Sequence, residues 1–187
     1  ALPNVTVFAP GDLVEAEACT KAMAEHPGTC YLRLGRGGEK RIHEKMEDFR
    51  VGKAIKVHNG KQVAVFSTGA IYEEVVTAYE HLTEQGVFPA IYTFPTIKPI
   101  DKKTIESVAA SFDLIVTVEE HNIVGGFGSS VAEVMAEMQV KRARLMRIGL
   151  NDQYSIQVGN QKYLRQQYGM DYRFIERAIM DNIGSKL

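Results

Sequence analysis

Asp113–Met138, DLIVTVEEHNIVGGFGSSVAEVMAEM, reads as a strand, a glycine loop and a helix in direct succession. Leu114–Val118 is a short apolar run rich in branched side chains, typical of a parallel strand buried on both faces. Gly125, Gly126 and Gly128 then permit a tight connection, and we call residues 123–128 the glycine loop. Apolar residues follow at helical spacing: Val131, Val134, Met135 and Met138. In open parallel sheets such a connection lies at the carboxyl edge, where ligands and partner subunits bind.

The glycine loop carries two thirds of a dinucleotide-binding fingerprint. Gly126 and Gly128 fit the pattern, but Val131 stands where the third glycine would be. The fingerprint also follows the first strand of its domain, whereas this loop comes late in the chain. The competing interpretation is that the glycines simply let helix and strand approach closely.

Three polar residues, Glu119, Glu120 and His121, stand between the predicted strand and the glycine loop. Two carboxylates beside an imidazole suggest acid–base or metal chemistry. Adjacent residues of a strand point to opposite faces, however, so at most Glu119 and His121 share a side. We expect a carboxylate here to hold the amides of the loop. Glu120, His121 and the three loop glycines are the candidates for an anion-binding or interface loop, and we expect no catalytic residue and no metal site.

The composition is that of an ordinary globular protein. A chain of 187 residues can bury a substantial core. Its formal net charge of −1, with acids and bases evenly mixed, argues against nucleic-acid and membrane-surface partners. Cys19 and Cys30 predict reduced, buried thiols rather than a disulfide framework, and we therefore expect a cytoplasmic protein. We read neither a membrane span nor a leader in the sequence.

The first part of the chain predicts a single β-α-β unit. Asn4–Ala9 and Cys30–Leu34 are the strands, and Asp12 can cap a helix over Leu13–His26. Two strands and one helix need further sheet to cover them, so we expect the end of a larger domain. Glu39–Arg50 is dense in charges of both signs and predicts either a linker or a solvated helix.

The rest of the chain predicts a larger α/β unit. Ala54–His58 and Gln62–Ser67 flank Asn59-Gly60, the dipeptide that favours a two-residue hairpin turn. Later elements are a helix Ile71–Gln85, a strand Ala90–Phe94, an extended Pro95–Pro99, a helix capped by Asp101 that runs through Phe112, a strand Ala143–Ile148, and helices near Gln161–Tyr168 and from Tyr172. The predicted fold class is α/β, a three-layer αβα arrangement whose mostly parallel sheet has one antiparallel strand, preceded by the β-α-β remnant.

Two arginines end the second predicted strand, in YLRLGRGG. Arg33 and Arg36 stand beside flexible glycines, and a guanidinium can hold a phosphate through two parallel hydrogen bonds. The alternative is a surface arginine that pairs with Glu39 or Asp48. On the residues alone, both interpretations stay open.

Four separated motifs resemble those of one family. YLRLGRGG, EDFRVGKA, FPTIKPIDKKTI and VTVEEHNIVGGFGSSVAE occur in the order and at the intervals found in the carboxyl-terminal part of transketolases. The resemblance covers nearly the whole chain. A more distant similarity extends to deoxyxylulose phosphate synthases and to the beta subunits of 2-oxo acid dehydrogenases.

The resemblance implies a transferase of the pentose phosphate pathway that uses thiamine diphosphate and Mg²⁺ to move two-carbon ketol units between sugar phosphates. The complete enzyme would be a homodimer. Residues 1–40 would then be the end of the pyrimidine-binding domain, 41–51 a linker, and 52–187 the carboxyl-terminal domain. Arg36 matches the family arginine that binds the substrate phosphate, and Arg33 is a second candidate.

Other parts of the family pattern have no counterpart here. The metal motif, GDG followed by NN, belongs to the diphosphate-binding domain, whereas in this sequence Gly11-Asp12 is followed by Leu13 and NN does not occur. We therefore expect this chain alone to be inactive and to bind no cofactor, with the missing portions supplied by the same chain or by a separate subunit. The alternative is a non-catalytic assembly or regulatory module that binds an anionic ligand or partner through the glycine loop.

Overall fold

The computed structural model describes residues 2–46, 49–140 and 142–183. Within these ranges the chain forms eight strands and six helices. In chain order they are β1 (Val5–Phe8), α1 (Leu13–Glu25), β2 (Thr29–Leu32), β3 (Ile55–His58), β4 (Val63–Thr68), α2 (Tyr72–Glu84), β5 (Ala90–Thr93), β6 (Thr96–Lys98), α3 (Lys102–Ser111), β7 (Leu114–Asn122), α4 (Phe127–Glu137), β8 (Arg144–Leu150), α5 (Gln161–Gln167) and α6 (Tyr172–Ile183).

The larger sheet has five strands in the order β3-β5-β4-β7-β8. Four of them run parallel, and β3 lies antiparallel to β5 at one edge. Side chains of β4 alternate between two apolar clusters: Val63 and Val65 pack with α2 and α6, whereas Ala64 and Phe66 pack with α3 and α4. Helices therefore cover both faces of the sheet, and the predicted three-layer fold is confirmed.

The hairpin predicted at Asn59-Gly60 is wrong. β3 and β4 are consecutive in the chain, but β5 lies between them in the sheet. A Cβ atom on Gly60 would lie 2.1 Å from the amide nitrogen of Ala90 and 2.4 Å from the carbonyl oxygen of Phe88. Gly60 is thus needed because the connection entering β5 passes directly against it. The antiparallel edge strand itself was predicted at the correct place.

A second, smaller sheet has the order β2-β1-β6. β1 and β2 are parallel and are joined by α1, as the sequence predicted. β6, expected only to be extended, pairs antiparallel with β1 at Val7↔Lys98 and Phe8↔Thr96. The amino-terminal unit and the larger α/β unit therefore share a sheet.

The described residues between β2 and β3 form neither helix nor strand, so they do not form the solvated helix considered for Glu39–Arg50. Asp12 fixes this segment to the start of α1. One carboxylate oxygen caps the helix by accepting from the Glu15 amide at 2.8 Å. The other accepts from the amides of Ile42 and His43 at 2.9 and 2.7 Å and lies 3.1 Å from His43 Nδ1.

The contacts of Asp12 should make the free energy of unfolding depend on pH. Although burial raises the pKa of Asp12, hydrogen bonds from His43, Glu15 and Ile42 outweigh it and lower the pKa from 3.8 to about 2. A carboxyl with a lowered pKa stabilises the fold fully above its unfolded value and loses that contribution as the pH falls through about 2. The difference corresponds to about 2 kcal/mol. Asp12→Asn should therefore lower the free energy of unfolding at pH 7 and flatten its decline below pH 4.

Urea unfolding over a pH series measures this effect. Glu25→Gln, a change at an exposed position on the same helix, should keep the wild-type profile. Identical profiles for Asp12→Asn and the wild type would show that the carboxylate does not anchor the segment.

Candidate functional site

A cleft of about 750 Å³ lies between the two sheets, and we call it the inter-sheet cleft. Val7 and Tyr31 of the small sheet form one wall, and the β7–α4 connection forms another. Its charged lining includes Arg33, Lys98, Lys102, Glu133 and Glu137. Glu120, His121, Gly125 and Gly126 also border it, so four of the five predicted loop residues meet at one opening.

Glu119 caps the amino-terminal end of α4 from within the core. Its side chain is 1% exposed, and its two oxygens accept from the amides of Phe127 and Gly128 at 2.6 and 2.8 Å. Burial raises the pKa of this carboxyl, while the two amides oppose that shift. A carboxylate does hold the loop amides, as expected. A phosphate bound at this helix start would have to displace it.

The loop glycines are required by the close approach of strand and helix. A Cβ atom on Gly126 would lie 2.2 Å from Oε2 of Glu119, and one on Gly128 would lie 2.6 Å from Oγ1 of Thr117. Gly125 has a φ of 71°, a conformation that side chains disfavour. With the Glu119 carboxylate in place, this geometry favours close approach over the dinucleotide-binding interpretation.

Glu120 belongs to a buried ion-pair network centred on Arg165. The guanidinium of Arg165, whose side chain is 4% exposed, donates from Nη2 to Glu120 Oε2 at 2.8 Å and to the carbonyl of Ala70 at 3.0 Å. Its Nη1 lies 3.4 Å from Glu74 Oε1. Glu74 Oε2 in turn accepts from the Tyr172 amide at 3.0 Å. The network ties the end of β7 to α2, α5 and α6.

His121 is exposed at the mouth of the inter-sheet cleft, and its Nδ1 lies 3.1 Å from the carbonyl oxygen of Asn122. Among the residues that the structure describes, no group of three His, Cys, Asp or Glu side chains could hold a metal ion. Across the same ranges, no helix combines the length and apolar character needed to span a bilayer.

The two candidate arginines lie in different places. Arg33 lines the inter-sheet cleft and donates from Nη2 to the carbonyl oxygen of Glu120 at 2.8 Å. Arg36 is exposed and lines a separate depression of about 210 Å³ with Pro10 and Ala70. Within the described ranges Arg36 forms no ion pair, with Glu39 or any other residue. Asp48, the other partner considered for it, lies outside those ranges.

Sequence reasoning did not find the buried charges that shape this region. Glu74 lies on a helix whose apolar spacing predicts only packing, and Arg165 lies on a short polar helix with no predicted role. They meet across 91 residues of sequence. Glu15 is fully buried and accepts from the Gly11 amide at 2.6 Å and from the Thr93 hydroxyl. Local spacing contains no signal for such long-range pairs.

The chain is similar in sequence to known proteins of one family. Residues 52–175 match the family described as transketolase, C-terminal domain. Over 185 residues the chain is 36% identical to a putative transketolase C-terminal section of Methanocaldococcus jannaschii, covering 98% of this chain and 57% of that protein. It is 34% identical over 184 residues to a 1-deoxy-D-xylulose-5-phosphate synthase of Methylacidiphilum infernorum, covering 97% of this chain and 28% of that one.

One solved structure, described as a split gene transketolase in an inactive beta4 tetramer, matches with a TM-score of 0.88 and 30% identity. The match covers 97% of this chain and 58% of that chain. The chain thus spans a little over half the length of this structure and of the Methanocaldococcus jannaschii relative.

Proposed function

The chain belongs to the transketolase family through its carboxyl-terminal domain, and from this premise we propose that it is the carboxyl-terminal section of a thiamine-diphosphate-dependent transferase. The complete, cytoplasmic enzyme would move two-carbon ketol units between sugar phosphates. The observation that carries the proposal is the 36% identity with a putative transketolase C-terminal section, spread over 98% of this chain. The similarity to deoxyxylulose phosphate synthases keeps their related chemistry as a second candidate.

We assign residues 1–40 to the end of a pyrimidine-binding domain, 41–51 to a linker and 52–187 to the carboxyl-terminal domain. The β-α-β unit, the irregular segment after it and the family match from residue 52 support this division. The partners would be the remaining pyrimidine-binding and diphosphate-binding portions. Because the split transketolase neighbour is described as a tetramer of one subunit, we also propose that this chain associates with copies of itself in a symmetric enzyme.

The described residues do not fit the metal and cofactor by themselves. They offer no cluster of metal-ligating side chains, and their glycine-loop amides already face a carboxylate. Thiamine diphosphate, which supplies the carbanion chemistry of ketol transfer when bound, and its Mg²⁺ would be held by the other portions. This chain would contribute substrate contacts and subunit contacts.

Calorimetric titration and reconstitution test this division of labour. The chain alone should show no thiamine diphosphate binding and no ketol transfer. Both should appear after mixing with a polypeptide that carries GDG and NN. Micromolar cofactor binding by this chain alone would contradict the proposal. If no such polypeptide exists, the hypothesis of a non-catalytic assembly or regulatory module is preferred. Glu119, however, leaves little room for an anion at the glycine loop.

Arg36 is the group proposed to bind the substrate phosphate. Its guanidinium is exposed and free of described ion pairs, and Gly37 and Gly38 beside it adopt φ values of 109° and 93° with open space around them. A phosphate can therefore approach without displacing another group. Arg33 is the secondary candidate, because part of its guanidinium is committed to the Glu120 carbonyl.

In the reconstituted enzyme, Arg36→Ala should raise the Michaelis constant for phosphorylated sugars. Loss of one charge-assisted contact costs about 2 kcal/mol, or roughly 30-fold. Unphosphorylated sugars should be affected far less. Arg177→Ala, which removes an exposed arginine on α6, is the matched control. Steady-state kinetics that are the same for Arg36→Ala and wild type would remove Arg36 from the site.

A further inference from the structure

Arg36 lies in a loop whose middle does little to fix its position. We call residues 34–41, LGRGGEKR, the arginine loop. Gly37 and Gly38 adopt positive φ values, and no atom lies within 4 Å of the place where a Cβ would be. Glycine has more conformational freedom to lose on folding than any other residue. The position of the Arg36 guanidinium therefore depends on contacts elsewhere in the segment.

Both ends of the arginine loop are fixed by hydrogen bonds. Before the loop, the amide of Arg33 donates to the carbonyl oxygen of Phe8 at 2.8 Å, which continues the pairing of β2 with β1. After the loop, the amides of Ile42 and His43 donate to the same carboxylate oxygen of Asp12. The Asp12 side chain is fully buried and also caps α1, so this end is attached to a rigid element.

The imidazole of His43 strengthens the attachment after the loop. Its Nδ1 lies 3.1 Å from Oδ2 of Asp12, and its ring stacks on Tyr72 with the centroids 5.4 Å apart. Tyr72 is fully buried at the start of α2. We call Asp12, His43 and Tyr72 the loop clamp. Asp12 lines the same depression as Arg36, so the clamp lies beside the arginine.

We propose that Asp12 and His43 are positioning residues for Arg36, which hold the arginine loop so that the guanidinium is presented to the substrate phosphate. The proposal rests on the phosphate-binding role put forward above for Arg36. Binding by a mobile arginine loses affinity to the entropy of ordering the loop, whereas a loop fixed at both ends is ordered when the chain folds. Release of the clamp should therefore weaken phosphate binding.

Steady-state kinetics of the reconstituted enzyme measure this effect. Asp12→Asn should raise the Michaelis constant for phosphorylated sugars about tenfold, less than the roughly 30-fold rise expected for Arg36→Ala, with kcat close to the wild-type value. Unphosphorylated sugars should be affected far less. Asp101→Asn is the matched control, because Asp101 also caps a helix and accepts from a distant amide, that of Ala54, but lines a different depression. It should keep the wild-type Michaelis constants.

His43→Ala is a second variant, and it leaves the cap of α1 intact. It removes the Nδ1 contact and the stacking on Tyr72 but keeps the backbone amides that bind Asp12. The Michaelis constant for phosphorylated sugars should therefore rise less, about threefold. His43→Asn should recover part of this loss, because a side-chain amide nitrogen can donate where Nδ1 does. Melting temperatures check that each variant folds.

A double substitution separates positioning from a merely structural role. If Asp12 acts through Arg36, adding Asp12→Asn to Arg36→Ala should cause no further rise in the Michaelis constant for phosphorylated sugars. Additive effects would overturn the proposal. So would an Asp12→Asn enzyme that loses phosphorylated and unphosphorylated sugars equally, or one that keeps wild-type kinetics when Arg36→Ala does not.

Limited digestion of the chain alone with trypsin tests the clamp without catalytic activity. The arginine loop contains cleavage sites after Arg36, Lys40 and Arg41. Asp12→Asn should be cut there about threefold faster than the wild type or more, because cleavage follows local opening, and Asp101→Asn should not. Mass spectrometry of the fragments locates the cut.

Equal cleavage rates for Asp12→Asn and the wild type would overturn the proposal, because the clamp would then not hold the loop. Wild-type kinetics of Arg36→Ala would instead remove the phosphate-binding role, and the positioning role with it, even where digestion shows that the clamp holds the loop. The two measurements therefore distinguish a failure of the clamp from a failure of the proposed site.

Discussion

Replacement of Arg165 by Met should lower the free energy of unfolding by about 3–5 kcal/mol. The substitution keeps much of the side-chain volume but removes the cation that Glu74 and Glu120 share. Two carboxylates would remain close together with their partner gone, one of them buried, and the carbonyl of Ala70 would lose its donor. For a chain of this length, the melting temperature should fall by about 10 °C.

Arg173→Met is the matched control for this effect. Arg173 lies at the surface, with its side chain 59% exposed, and pairs with Asp171 at 3.5 Å. Exposed ion pairs contribute little to the free energy of unfolding, so the melting temperature of this variant should be close to that of the wild type. Adding Glu120→Gln to Arg165→Met should recover part of the loss by removing an unpaired charge. Equal melting temperatures for Arg165→Met and Arg173→Met would show that the network does not stabilise the fold.

Glu119→Ala should also be strongly destabilising, by about 3 kcal/mol. The change leaves the amides of Phe127 and Gly128 without their acceptor in a region that water does not reach. It also opens a small void beneath the start of α4. Differential scanning calorimetry should show a melting temperature lower by about 10 °C.

Glu133→Ala tests whether this loss is specific to capping. Glu133 is an exposed carboxylate on the same helix, and its removal should change the melting temperature little. In amide hydrogen exchange, protection should fall at the first turn of α4 in Glu119→Ala alone. Unchanged exchange there would show that the carboxylate is not the cap.

The sequence predicted the fold well because its signals were local. Asp12 and Asp101 were expected as helix caps and do accept from Glu15 and Thr104. The failure at Asn59-Gly60 has a physical cause. A two-residue turn is a local preference, whereas strand order depends on contacts between segments distant in sequence, such as the approach of Phe88–Ala90 to Gly60. Here β5 fills that position between β3 and β4.

The candidate site was predictable only in part. The loop glycines and Glu119 could be interpreted from their spacing along a strand and a helix start. Whether Arg33 and Arg36 act together could not be predicted, since a few residues of irregular backbone separate a side chain that lines the inter-sheet cleft from one that lines a separate depression. Arg165 could not be found at all, because its partners come from α2 and β7 and only folding brings them together.

The antiparallel pairing of β6 with β1 has a consequence for enzyme engineering. Chimeras that join the front of one homologue to the back of another at residues 41–51 would graft Thr96–Lys98 onto a foreign neighbour. Hydrogen bonds of the backbone would survive such a graft, but the side chains on either side would no longer match. Recombination libraries should therefore inherit Val5–Phe8 and Thr96–Lys98 from the same parent.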